Sequence, residues 1–290
     1  MSLWELAVQP FVEFAFMRRA LVGCLALALG CAPIGVFLLL RRMSLMGDAM
    51  SHAILPGAAV GFLLAGMSVP ALSAGGLVAG LAVALAAGAT ARATVLREDA
   101  TLAAFYLISL ALGVLLVSLK GSNVDLLHVL FGTVLALDDD ALLLLAGIAT
   151  ITLPVLALIY RPLVVECFDP TFLRAVGGRG PLVHMVFLAL VVLNLVGGFQ
   201  ALGTLMAVGL MMLPATTARL WTRTLGGMIG VSLLAAFTAG YLGLLLSYHA
   251  ALPSGPAIVL TAGSLLILSL FIAPRRGLLG RFWSRNHLEG

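Results

Sequence analysis

Apolar runs of about 20 residues recur from end to end of this chain, separated by short polar stretches that hold most of the charges. A helix rising about 1.5 Å per residue needs roughly 20 apolar residues to cross a hydrocarbon core of about 30 Å. The runs therefore predict membrane-spanning helices over Ala20–Leu40, Gly47–Gly66, Ala71–Ala91, Ala100–Leu119, Ala141–Tyr160, Leu182–Phe199, a short Ala201–Leu213, Leu225–Ser247 and Ala257–Ala273. Leu126–Leu137 is apolar over only twelve residues, which suits an interfacial or re-entrant helix on the outer face better than another span. The pattern predicts an all-α, polytopic membrane protein of about eight to nine spans, forming one domain over residues 1–290, with no internal repeat.

Composition sharpens the picture. The chain is 62% hydrophobic and 10% charged, whereas a soluble domain carries about 25% charged residues. The first apolar run is long for a signal core and ends in Arg41 and Arg42 without a small-residue cleavage site, so the first helix is expected to be retained. Cys24, Cys31 and Cys167 lack metal-ligand spacing and read as packing residues. The net charge of +4 does not imply nucleic acid, because the basic residues sit singly or in pairs between apolar runs and form no stripe. The partner that composition implies is the lipid bilayer.

Charge also sets the orientation. Placing Arg41 and Arg42, the loops Arg92–Asp99, Arg161–Arg179 and Pro214–Thr224, and the tail from Arg275 on one side gathers thirteen of the sixteen Lys and Arg residues there. That side should be cytoplasmic. The other side keeps Arg18, Arg19 and Lys120 with Glu5, Glu13, Asp125 and the run Asp138, Asp139, Asp140. The same parity forces two crossings into Leu182–Leu213, where Gly197 and Gly198 supply a break and the second limb is short, at about 20 Å. Broken backbone at membrane depth needs protein or a watery cavity around it, so this stretch is a candidate for a transport path.

Asp48 and His52 are the only Asp, Glu or His pair at helical spacing within a predicted span. Residues four apart share a helix face, so both can point at one ion. Counting from Arg42, His52 lies about 15 Å along a helix, near the bilayer midplane where transporters often hold substrate. A carboxylate at that depth costs on the order of 2.5 to 3.5 kcal/mol unless a partner, a cavity or a cation accounts for it. An imidazole with a carboxylate suits zinc, manganese or iron, whereas calcium and magnesium prefer oxygen alone. Pro56 lacks the N–H that would bond the His52 carbonyl, which is thereby released. A helix cap at Asp48 and a hydrogen-bonded core histidine at His52 would fit the same residues.

Other polar positions are more open. His128 and Asp125 could line an entrance or simply occupy the interface; Asn194 and Gln200 could line a path or bond helix to helix. Asp138, Asp139 and Asp140 could meet a cationic partner surface or favour the N-terminus of the following helix. His184 and His249 lie near span ends, where amphipathic side chains are ordinary. There is no phosphate-binding loop, since the only lysine is Lys120, and neither H-E-x-x-H nor G-x-S-x-G occurs. The chain is not expected to be an enzyme or to hydrolyse ATP alone.

The stretch RRMSLMGDAMSHAILPG, Arg41 to Gly57, resembles the signature RRMSLxGDAxSHAxLPG of the ABC-3 family of metal-ion importer permeases. LLHVLFGTVLAL from Leu126, FDPTFLRAVG from Phe168, QALGTLMAVGLMMLPATTARL from Gln200 and LPSGPAIVL from Leu252 extend the similarity over most of the chain. The resemblance implies an all-helical type II-like ABC importer permease related to the vitamin B12 and iron-siderophore importers. It would sit in the bacterial cytoplasmic membrane as a homodimer, with cytoplasmic ATPase subunits and an extracytoplasmic metal-binding protein. Asp48 and His52 from each copy would then be metal-pathway residues, with no cofactor bound permanently. Pro214, Ala215, Thr216, Thr217, Ala218, Arg219 and Arg223 resemble the segment that couples to the ATPase. The cargo implied is zinc, manganese or iron, and the N-terminal half looks closer to zinc importers. A proton- or sodium-coupled secondary transporter would use the same buried Asp and His without an ATPase, and a scaffold protein would need neither.

Overall fold

The computed structural model describes residues 3–66, 68–119, 137–175 and 178–273, and within them thirteen helices form. They are α1 Leu3–Ala7, α2 Gln9–Glu13, α3 Ala15–Leu40, α4 Met46–Ala53, α5 Leu55–Ala65, α6 Val69–Ala93, α7 Glu98–Leu119, α8 Asp139–Phe168, α9 Pro170–Ala175, α10 Gly180–Leu202, α11 Thr204–Trp221, α12 Leu225–Ala250 and α13 Ser254–Ile272. Eight stretches among the described residues are long and apolar enough to span a membrane, the second being α4 and α5 together.

Helices α3 and α10 form the centre. The span of α3 is the most buried, with Cys31, Ile34, Phe37 and Leu38 fully enclosed. It packs against α8, α10, α11 and α12, while α10 also reaches α6, so one apolar core joins the α8 to α13 layer to the α4 to α7 layer. Backbones meet closely where side chains vanish: Gly35 of α3 lies against the Met211 carbonyl of α11, and Gly57 of α5 and Gly75 of α6 lie against each other's carbonyls. Small-residue contact of this kind substitutes for a hydrophobic drive, which lipid does not supply between helices.

Three boundaries differ from those the pattern predicts. The second span divides at Ile54, because Pro56 has no N–H for the preceding turn. Ser109 of α7 donates its hydroxyl at 2.8 Å to the carbonyl of Ala53, the residue after His52, so an adjacent helix bonds the backbone at the break. The break in the Leu182–Leu213 stretch falls at Gly203, not at Gly197 and Gly198. Gly203 takes φ of 91°, which other residues avoid, whereas Gly197 and Gly198 stay helical and admit the side chains of Ile148 and Ala207. The second limb starts later than expected, at Thr204, and is longer only because it continues past Leu213.

That limb, α11, runs through Pro214 to Trp221, so most of the segment expected as an inner loop is helix. Thr216 and Thr217 return their hydroxyls to the carbonyls of Met212 and Leu213 at 2.8 and 2.9 Å, which lets polar residues remain helical. In the same way α8 passes Arg161 and Pro162 and ends at Phe168, leaving a shorter loop than Arg161–Arg179. Leu40, Arg42, Phe168, Arg219, Arg223 and Met228 nevertheless line one cavity of about 460 Å³. The ends of α3, α8 and α11 and the start of α12, all expected on the cytoplasmic side, thus gather at one end of the bundle, and the tail from Arg275 lies outside the described residues.

Candidate functional site

The site begins with a chain reversal. After Leu40 the backbone turns through Arg41 and Arg42, with Arg42 N–H donating to Leu39 O at 3.2 Å and Met43 N–H to Leu38 O at 2.9 Å. This pair of bonds is a Schellman C-cap, and it places Arg42 in the left-handed region at φ of 60°. The new helix starts only at Met46. His52 is therefore six residues into α4, or about 9 Å of rise, and not the 15 Å counted from Arg42. The turn consumes the difference, so only about 9 Å of helix separates His52 from the start of α4.

Asp48 is exposed and lines a cavity of about 420 Å³ with Arg42, Ser44, Met46, Asp99 and Tyr106. His52 is half-buried one turn further on, its ring 6.4 Å from that of Tyr106. Asp99, Leu102, Ala103 and Tyr106 share one face of α7 at helical spacing, and all four line this cavity. Sequence reading missed Asp99 and Tyr106, although the i, i+3, i+4, i+7 pattern was available. Among the described residues no three His, Cys, Asp or Glu side chains converge as a metal cluster. One chain thus presents two neighbouring groups and an open flank.

The remaining positions separate. Asn194 is buried in α10 and donates to Thr152 Oγ1 of α8 at 2.7 Å and to Leu190 O at 2.9 Å, the helix-to-helix arrangement. Gln200 lies near the end of α10. His128 and Asp125 fall outside the described residues. Asp138 caps α8, its Oδ1 accepting from Ala141 N at 2.8 Å; Asp139 pairs with Arg19 at 3.1 Å, and Asp140 borders an apolar cavity between α6, α8 and α10. Pro214, Ala215, Thr217 and Ala218 are buried, Thr216 is half-buried, and Arg219 and Arg223 are exposed at the end of the bundle expected to face the cytoplasm, the expected inner end. His249 reaches Leu6 O at 2.9 Å, but His184, expected to be an ordinary span-end residue, is buried with Nε2 2.6 Å from Glu98 Oε1.

These features coincide with a known family. Residues 13–273 match the model of the ABC 3 transport family. The chain belongs to that family. It is 34% identical over 264 residues to the manganese import system permease protein ScaB of Streptococcus parasanguinis, covering 91% of this chain and 93% of that protein. It is 32% identical over 268 residues to the chelated iron transport system membrane protein YfeD of Yersinia pestis, covering 92% and 89%. Its fold matches the structure of PsaBC from Streptococcus pneumoniae in complex with Fab, with a TM-score of 0.82 at 31% identity, over 99% of this chain and 100% of that one. The resemblance carried by Arg41–Gly57 and the all-helical permease fold are borne out. The leaning towards zinc finds no support in these relatives, whose names specify manganese and iron.

Proposed function

We propose that this chain is the membrane-spanning permease of an ATP-driven importer that carries a divalent transition metal, manganese foremost and iron next, to the cytoplasm. The observation that carries the site is the pairing of exposed Asp48 with half-buried His52 on one face of α4, beside a cavity walled by α7. A carboxylate facing lipid would be costly. A second copy of the chain set against this face would cover Asp48 and bring a second Asp and His, giving the four ligands that one chain lacks. Oxygen and imidazole donors of this mix suit manganese and iron as well as zinc, and the relatives' names favour the first two.

The metal would pass from an outer binding protein to this paired site and leave past Asp48 towards the inner end. ATP hydrolysis would come from a separate subunit docked near Arg219 and Arg223, at the exposed end of α11. A rigid helix running from Gly203 to that end can carry its motion to the centre, because α11 packs directly on α3, α12 and α13. Asp48→Asn and His52→Ala are each expected to lower manganese uptake into cells at least tenfold with normal amounts of permease in the membrane. Uptake at the normal rate in either variant would remove Asp48 and His52 from the pathway.

A further inference from the structure

The position of Asp48 depends on the turn between α3 and α4, and that turn is held by a buried carboxylate that the proposed pathway does not use. Arg41 closes α3 with its N–H on Phe37 O at 3.0 Å. Its guanidinium lies 5.5 Å above the Phe187 ring and puts Nη2 3.4 Å from Glu166 Oε1. The same oxygen accepts from Arg92 Nη2 at 2.7 Å. Glu166 is 4% exposed and Arg41 9%. A single oxygen therefore ties the end of α3 to the ends of α6 and α8.

The opposite wall of the cavity is tied as well. Glu98, the first residue of α7, meets His184 of α10 at 2.6 Å, and Asp99 follows it directly. Both walls around Asp48 are thus fixed by polar side-chain contacts to the helices behind them. Stability alone would not select this arrangement, because apolar side chains of similar volume commonly do as well as a buried ion pair. Glu166 Oε2 and Arg41 Nη1 also lack a hydrogen-bond partner among the described residues. What the cluster supplies is a common meeting point for three helix ends, since Glu166 Oε1 on α8 is reached both by Arg41 after α3 and by Arg92 in the last turn of α6.

The geometry points to Glu166 as a positioning residue for metal transfer: through Arg41 it sets the turn from which α4 departs, and so the place of Asp48 against α7. This rests on the reading of Asp48 and His52 given above. The test uses the whole complex with its ATPase in proteoliposomes, with manganese as the probe and the number of ions moved per ATP hydrolysed as the readout. Glu166→Gln is expected to assemble in normal amount and to lower that ratio at least fivefold, and Glu166→Asp, which keeps the charge, to recover half or more.

If Glu166→Gln fails to assemble, the double variant Arg41→Gln, Glu166→Gln carries the test, since it leaves a neutral hydrogen-bonding pair in place of an unpaired buried cation. Its ratio is expected to fall between those of Glu166→Gln's parent and Asp48→Asn. A normal ratio in Glu166→Gln, or transport and hydrolysis that fall together with the amount of complex at an unchanged ratio, would overturn the proposal. Asp48→Asn run in parallel separates the two claims. If it transports normally, the pathway reading fails; if it is inactive while Glu166→Gln is normal, only the positioning role fails.

Discussion

The two ends of the bundle use the same chemistry in opposite settings. At the end expected to face outwards Arg19 and Asp139 stand 3.1 Å apart with 47% and 74% of their side chains exposed. At the opposite, expected inner end Arg41, Arg92 and Glu166 meet with the carboxylate almost wholly enclosed. Exposed pairs are worth about 0 to 1 kcal/mol because water and salt screen them. Removing one member of a buried pair costs about 3 to 5 kcal/mol, since the other is left without solvent or partner. The outer charges are therefore replaceable, whereas the inner ones define where helices end. Arg41→Ala is expected to lose far more stability than any outer-end variant, at the low end of that range because Arg92 still serves Glu166, and to lower the unfolding midpoint in detergent. A change as small as that of an outer variant would break the comparison.

A second prediction sharpens it at the neighbouring residue. Arg42 is exposed, yet its backbone is confined by the turn to a left-handed conformation that costs a non-glycine residue about 1 to 2 kcal/mol. Arg42→Gly should remove that strain at some cost in unfolded-state entropy, for a net gain of about 0.5 to 1 kcal/mol. The side chain borders both the Asp48 cavity and the cavity shared with Arg219 and Arg223. A more stable permease with lower manganese uptake would show that the strain is retained for the guanidinium; a more stable permease with full uptake would make Arg42 a cap alone.

Much of this was legible in the sequence because bilayer spans announce themselves by length and polarity, and Arg41–Gly57 carried in order the family signature and the two residues proposed for the pathway. What stayed hidden depends on contact. Gly203, rather than Gly197 or Gly198, breaks the chain because of a backbone angle that composition does not reveal. Pro162 and Pro214 lie inside helices that continue around them, so proline was a poor marker of the ends of α8 and α11. Glu166 looked like one more loop charge until α8 extended past it, and its two arginines come from residues 125 and 74 positions away. No local pattern links such partners. Tyr106 and Asp99 were within reach of helical periodicity but had no reason to be singled out before α7 was seen against α4.

The smallest effect is expected at the outer end, from Asp139→Asn. Asp138 already caps α8 through its side chain, and Asp139 and Asp140 follow in the first turn, where negative charge favours the helix dipole. Removing one of these charges forfeits the exposed contact with Arg19 and part of the dipole term, for a combined loss of about 1 kcal/mol or less. With a Debye length of about 10 Å at 0.1 M salt and about 3 Å at 1 M, most of that loss should vanish when the unfolding midpoint is measured at the higher concentration. A midpoint difference that persists in 1 M salt would mean that the pair is sheltered as the inner cluster is, and the contrast between the ends would fail. If stability is unchanged but uptake falls at low salt and recovers little when Arg19 is also replaced, the lost charge is meeting a cationic partner surface outside this chain. That outcome would leave the stability contrast standing while giving the outer carboxylates a role in docking, the alternative that the run Asp138, Asp139, Asp140 suggested from the start.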